Sequence, residues 1–305
     1  MWMLAAFFSA LCAALSSIVI KMGIHEMDSD ISTAIRTIVV SVFAWGIAML
    51  VGSLDTIMTV SGSTWLFLIL SGVCTGISWL CYYKALTMGN ASICMPIEKS
   101  SLFVTILFAI FYLGEKEHLY LRLTGAILIM LGIVLLISPS APADSGKEES
   151  GASQSEMGNV RDSGSRQWVL YALMALIFSS ANSILSKIGI DGIESNLGTA
   201  VSTTVMLFMS WIFVFMRKKQ HLLAGLVGRE VRFTVYSGIL TGSCWLCYYY
   251  AIKYGIVSIA VPLNKLSIPM IAVLSAIMLR EEITPKAALG LTLITGATLL
   301  IAIFP

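Results

Sequence analysis

The sequence predicts an all-α integral membrane protein, with ten transmembrane helices arranged as two inverted five-helix repeats. Three observations predict it. The chain is 57% hydrophobic and only 12% charged over 305 residues, against about 25% charge in a soluble domain, which leaves too little polar surface to face water on all sides. Ten apolar stretches approach the roughly 20 residues that a spanning helix needs. The chain also repeats itself at one fixed offset, without a gap.

Taken in order, spans are expected at 2–21, 31–52, 65–87, 91–113 and 119–138, then at 168–187, 197–216, 233–254, 258–279 and 285–304. The first begins MWMLAAFFSALCAALSS and lacks the basic start of a secretory signal. Its counterpart, Val169 to Ser186, is internal, so it reads as a span. Residues 139–166 are small, polar and charged. With nothing to bury they are expected to form a disordered linker. The domains are therefore a first repeat at 1–138, the linker at 139–166 and a second repeat at 167–305.

The repeat is densest where Ser71 to Ser101 returns as Ser237 to Ser267. Gly72, Gly76, Trp79, Cys81, Tyr82, Tyr83, Pro96 and Lys99 recur as Gly238, Gly242, Trp245, Cys247, Tyr248, Tyr249, Pro262 and Lys265. It extends into the early helices, where Ser17, Lys21, Gly23 and Thr37 match Ser183, Lys187, Gly189 and Thr203. Five spans per unit is an odd number, so the second unit must run inverted to the first. Units related in this way form a known transporter plan. Lysines and arginines concentrate in the connections after odd-numbered spans, which by the positive-inside rule puts both termini outside.

Lys99 and Lys265 lie near the middle of the fourth and ninth spans. A lysine at that depth costs on the order of 2.5–3.5 kcal/mol, so each is expected to face a polar path or a partner, as a substrate anchor. Pro96 and Pro262, three residues earlier, each remove a backbone hydrogen bond and are expected to kink the helix. Glu98 is an acid deep in a predicted span; it is a candidate for a coupling proton or an ion pair. Its counterpart Asn264 joins the substrate-binding candidates. Trp79, Tyr82, Tyr83, Trp245, Tyr248 and Tyr249 form matching aromatic clusters that suit the wall of an organic-ligand pocket. Gly72-x-x-x-Gly76 and Gly238-x-x-x-Gly242 read as faces for close helix contact. Arg36, whose counterpart is Ser202, is a possible gate. Lys21 and Lys187, near helix ends, are expected to snorkel to the interface.

No metal or cofactor is expected. The histidines, His25, His118 and His221, fall in loops. Cys244 and Cys247 have redox spacing, but the first repeat has Ser78 at the equivalent place, so they read as small apolar residues. A net charge of +2 is no nucleic-acid footprint. No nucleotide-binding G-x-x-x-x-G-K motif occurs, and no nucleophile and base mark an enzyme.

These residues resemble the EamA type of the drug/metabolite transporter superfamily. The resemblance covers 1–137 and 168–305. It rests on the five-plus-five repeat, the W-L-C-Y-Y helix, the P-[I/L]-x-K-x-S segment and Leu113-Gly114-Glu115, echoed as Leu279-Arg280-Glu281. It implies a multi-pass transporter of the inner or plasma membrane that exports or exchanges a small metabolite. The small multidrug exporters of the superfamily carry a glutamate in their first helix, and residues 2–24 and 168–190 hold no acid. Ten-helix relatives usually keep both termini in the cytosol, opposite to the charge bias here.

The function expected is secondary-active, alternating-access transport of an anionic or zwitterionic metabolite such as an amino acid. Its partners are the lipid bilayer, that small molecule and a coupling proton; a pore needs no second copy. The alternatives are a non-transporting scaffold or lipid-handling accessory protein, and an exporter of cationic drugs.

Overall fold

A backbone in lipid must satisfy its own hydrogen bonds, so apolar stretches of this length become helices. The computed structural model describes residues 1–23, 27–88, 94, 97–114, 118–137, 167–225, 228–280 and 283–303. The helices are α1 (Trp2–Gly23), α2 (Ser29–Leu50), α3 (Gly62–Met88), α4 (Ser101–Tyr112), α5 (Leu119–Ile137), α6 (Gln167–Asp191), α7 (Ser195–Met216), α8 (Gly228–Tyr254), α9 (Val257–Lys265), α10 (Ser267–Met278) and α11 (Pro285–Ile303). Short 3-10 turns, Ser53–Thr59 and Lys219–Gly225, follow α2 and α7 at equivalent places. No strand occurs among the described residues.

Among those residues, eight helical segments are long and apolar enough to cross a membrane, α9 and α10 together making one of them. The chain is a multi-pass membrane protein. The count differs from the ten expected for two reasons. Only the second part of the 91–113 stretch is described as a continuous helix, α4, and its 12 residues span about 18 Å. The 233–254 stretch lies in α8, whose 27 residues reach about 40 Å. Arg229, Glu230, Arg232 and a run of tyrosines lower the apolarity of α8. The expected linker, 139–166, lies outside the described residues.

The main packing is between halves, not within them. α1 lies against α8, and α6 against α3. Ser16 meets Ser237, and Ser9 meets Cys244, so α1 and α8 run antiparallel. In the equivalent pair, Ser78 bonds the carbonyl of Ala175 and Gly189 abuts Leu68. α2 runs antiparallel to its own counterpart α7, with Thr37 on Ser210 and Trp45 on Thr204. α5 does the same with α11, Gly132 against Gly290.

The glycine pairs serve this packing. A Cβ on Gly72 or Gly76 would fall 2.6 Å from Val205 or 2.7 Å from Met209 of α7. One on Gly238 or Gly242 would fall 2.7 Å from Val39 or 2.6 Å from Phe43 of α2. Val39 and Phe43 are the repeat equivalents of Val205 and Met209, so the same close contact is made twice. The buried core joins α1, α4, α5, α6, α8, α9 and α11. Val42, Phe111 and Ile277 stand 68–83% exposed on the outside, the apolar face that lipid covers.

Candidate functional site

The apolar helical segment Val257–Met278 is broken in its middle. α9 ends at Lys265, Leu266 closes a tight turn by bonding the carbonyl of Leu263 at 3.1 Å, and α10 begins at Ser267. The same turn recurs before α4, with Ser100 bonding the carbonyl of Ile97 at 3.2 Å and α4 beginning at Ser101. The break therefore falls just after Lys265, not at Pro262 as expected. Pro262 lies inside α9, because its fixed φ suits a helix and only its missing N–H is lost. Pro96 lies outside the described residues.

Beside the break between α9 and α10 is a cavity of about 240 Å³. Ser101 and Thr105 of α4, Ser179, Asn182 and Ser183 of α6, Trp245 and Tyr248 of α8, and Asn264 and Lys265 of α9 line it, with Cys244, Leu102 and Val261. A largely polar wall inside an apolar bundle is unusual, since each polar group left dry costs energy. Some wall groups already have partners, within the wall or behind it. Ser179 reaches Ser101 at 3.4 Å, and Ser9 donates to Asn264 Oδ1 at 3.1 Å. Lys265 is half-buried, and its ammonium has no hydrogen-bond or ion-pair partner among the described residues.

Lys99 is different. Its Nζ lies 2.8 Å from Glu98 Oε2. Adjacent residues on a helix point about 100° apart, which by itself would turn the two side chains toward different neighbours. The turn at Ser100 ends the helix there, and the long side chains meet. Both sit within electrostatic range of Lys265.

The aromatic clusters separate. Trp245 and Tyr248 meet edge to face, centroids 6.4 Å apart at 83°, and line the cavity. Tyr249, 1% exposed, backs them, with Trp245 5.9 Å away. Trp79 instead lines a separate crevice of about 40 Å³ with Asp30, Met209 and Phe213. Tyr82 is half-buried on α3, and the side chain of Tyr83 lies outside the described residues. Arg36 is half-buried on α2, its carbonyl facing Gly238, and is not among the cavity's lining residues.

Lys187 does not snorkel. Its Nζ donates to the carbonyls of Ile252, Lys253 and Gly255 at 2.7, 2.8 and 3.2 Å. It caps the C-terminal end of α8, where unpaired carbonyls and the helix dipole favour a cation. The hydroxyl lining from Ser101, Thr105, Ser179 and Ser183 was missed from sequence. Serine is frequent throughout these spans, and only the fold selects the few that converge.

The EamA-like transporter family matches this chain over residues 1–138 and 166–303. A curated relative from Sinorhizobium sp., an uncharacterized transporter in the cobO 3' region, is 38% identical over 135 residues, which is 44% of this chain and 95% of the relative. A crystal structure of a protein superposes with a TM-score of 0.71 over 99% of this chain and 97% of its own, at 16% identity; that likeness is one of fold.

Proposed function

The chain belongs to the EamA-like transporter family, within the drug/metabolite transporter superfamily, and we propose that it is a secondary-active transporter of a small anionic or zwitterionic organic metabolite. In this reading ten helices cross the inner or plasma membrane as two inverted units, 1–138 and 167–305, joined by a polar linker. The units rock about the central cavity. The antiparallel pairing of α2 with α7 and of α5 with α11 supports the inverted arrangement, because each pairs a helix with its own repeat equivalent.

One observation carries the substrate class: an ammonium, Lys265, with no partner among the described residues, at the break between α9 and α10 and on the wall of a cavity rich in polar side chains. Broken helices near the midplane are where transporters of this plan hold substrate. Trp245 and Tyr248 suit the organic part of the ligand. The engagement of Glu98 by Lys99 argues against a free carboxylate waiting for a cationic drug. A scaffold has no use for a solvent-sized cavity beside an unpaired charge.

Thermal unfolding of the detergent-purified chain tests this, against amino acids, organic acids, nucleotides, sugars and organic cations, with Lys99→Met and Lys265→Met alongside. A ligand that binds the native state raises its apparent stability. Stabilisation by an anion or zwitterion that disappears in Lys265→Met is the expected result. Stabilisation by cations alone, unchanged in both variants, overturns it.

A further inference from the structure

We infer that Asn264 and Lys265 form a built subsite for a single carboxylate, and that Ser9 and Cys244 are its positioning residues. The inference rests on the transporter reading above and deepens it.

A primary amide carries an acceptor on one side and two donors on the other. Which side meets the cavity decides what Asn264 can hold. Ser9, fully buried on α1, donates its hydroxyl proton to Asn264 Oδ1 at 3.1 Å. The Ser9 hydroxyl oxygen also lies 3.3 Å from Cys244 Sγ. With the Ser9 proton committed to the amide, the thiol S–H is the donor in the second contact. The bonds run Cys244 to Ser9 to Asn264, across α8, α1 and α9. The amide carbonyl is thereby turned back into the bundle, and the NH2 group is left for the cavity that Asn264 and Lys265 both line. That nitrogen has no partner among the described residues. Two amide N–H groups beside an ammonium form a donor set that suits an anion and repels a cation.

The first repeat does not reproduce this arrangement. The equivalent of Ser9 is Ala175, which has no hydroxyl. The equivalent of Cys244 is Ser78, and its hydroxyl is spent on the carbonyl of Ala175 at 2.8 Å. The equivalent of Asn264 is Glu98, paired with Lys99. Of two symmetry-related positions, only the one in the second repeat is armed for an anion.

Charge sets the valence. Lys99 and Glu98 cancel, which leaves the single positive charge of Lys265. An uncompensated charge inside the bilayer is expensive, so a ligand carrying one carboxylate matches the site and a dianion leaves one charge unmatched. The edge-to-face pair of Trp245 and Tyr248 gives the rest of that ligand an apolar wall. The class is thus small compounds with one carboxylate and an apolar body.

The test measures the Kd of the full-length, detergent-purified chain at pH 7 for 3-phenylpropionate, its carboxamide and phenylsuccinate, which share a phenyl group and differ in charge. Phenylpropionate is expected to bind best, with the carboxamide at least about tenfold weaker, since a hydrogen bond to a charged group is worth that much or more. Asn264→Ala and Ser9→Ala are each expected to weaken phenylpropionate by about three- to tenfold and the carboxamide by less, because its carbonyl accepts only a neutral hydrogen bond. Cys244→Ser should keep the wild-type affinity, because a hydroxyl still donates to Ser9, and Cys244→Ala should not. That pair carries the test if Ser9→Ala fails to fold. Equal affinity for acid and carboxamide overturns the subsite. If Lys265→Met abolishes binding while folded Asn264→Ala and Cys244→Ala bind normally, the subsite is wrong and the lysine anchor stands. Binding of none of the probes that carry a carboxylate overturns both.

Discussion

Asp30 on α2 and Arg217, one residue past the end of α7, meet at 2.9 Å. Lys219 completes the contact, 2.6 Å from Asp28 and 2.9 Å from Asp30. The repeat equivalents of Asp28 and Lys219 are Glu194 and Ser53, and those two also touch, by a hydrogen bond from the serine hydroxyl to the carboxylate. The pair α2/α7 is therefore tied at both ends, by two acids and two cations at one and by a serine and an acid at the other. Removing Arg217 should cost about 1 kcal/mol, since the pair is partly exposed. Asp30→Asn, which strips a 6% exposed carboxylate from two cations, should cost about 2 kcal/mol. Thermal unfolding of Arg217→Ala and Asp30→Asn would check the order; equal, negligible shifts would show that the cluster adds nothing.

The same cluster predicts a pH window. Burial raises the Asp28 carboxyl, but the Lys219 ammonium and the backbone N–H groups of Asp30 and Ile31 outweigh it and hold Asp28 below its usual 3.8. Its contribution is complete above that value and lost as pH falls below it. Burial likewise lowers Lys219, but Asp28 and Asp30 together raise it above its usual 10.5. Its contribution is complete below that value and lost as pH rises through the raised one. The difference in unfolding temperature between wild type and a Lys219→Met variant should thus be flat across neutral pH and shrink below about pH 4 and above about pH 10.5. A difference that varies between pH 6 and 8 would contradict it.

Lys187→Met should destabilise the chain by about 2 kcal/mol, through three carbonyls at the end of α8 that lose their donor. Lys187→Arg should recover part of this, because the guanidinium keeps the charge and donors but not the shape of the ammonium. Hydrogen exchange confined to faster opening at the end of α8 in Lys187→Met would support the assignment, and unchanged exchange there would exclude it.

Gly132→Ala should cost about 1–3 kcal/mol. Its new Cβ would lie 2.7 Å from the carbonyl oxygen of Gly290, a backbone atom that cannot rotate away. Gly46→Ala, where a Cβ meets nothing within 4 Å, is the control and should be neutral or slightly stabilising. Similar unfolding temperatures for the two variants would mean that α5 and α11 separate freely.

Glu98→Gln should release Lys99 and raise the cavity from one positive charge to two. Phenylsuccinate is then expected to gain on phenylpropionate by about tenfold, the worth of one charge-assisted contact. An unchanged ratio between these acids would mean that Lys99 does not reach the ligand.

Much of the fold was legible in the sequence because lipid imposes a simple rule. Each span must be apolar and helical, and the gapless match of Ser71–Ser101 to Ser237–Ser267 announces the repeat. The α8 stretch shows the limit of that rule: its tyrosines and its first-turn charges make it a poor span by composition, although it is a long helix packed on α1. The sites were less legible. Lys265 and Trp245 were visible as a buried charge and a repeated aromatic. Trp79, identical in the repeat, lines another crevice.

By itself the sequence determined a membrane-embedded helical chain, its internal repeat at one fixed offset, and the presence of charged residues inside apolar stretches. Those follow from composition and period, which are local properties. Only the tertiary structure decided that Glu98 pairs with Lys99 while the Lys265 ammonium has no hydrogen-bond or ion-pair partner among the described residues, that Lys187 caps α8, and that Ser9, Cys244 and Asn264 meet. The repeat makes both lysines equal in sequence. They differ because their surroundings come from distant helices whose side chains are not repeated, and a charge in a low-dielectric bundle takes its role from those neighbours.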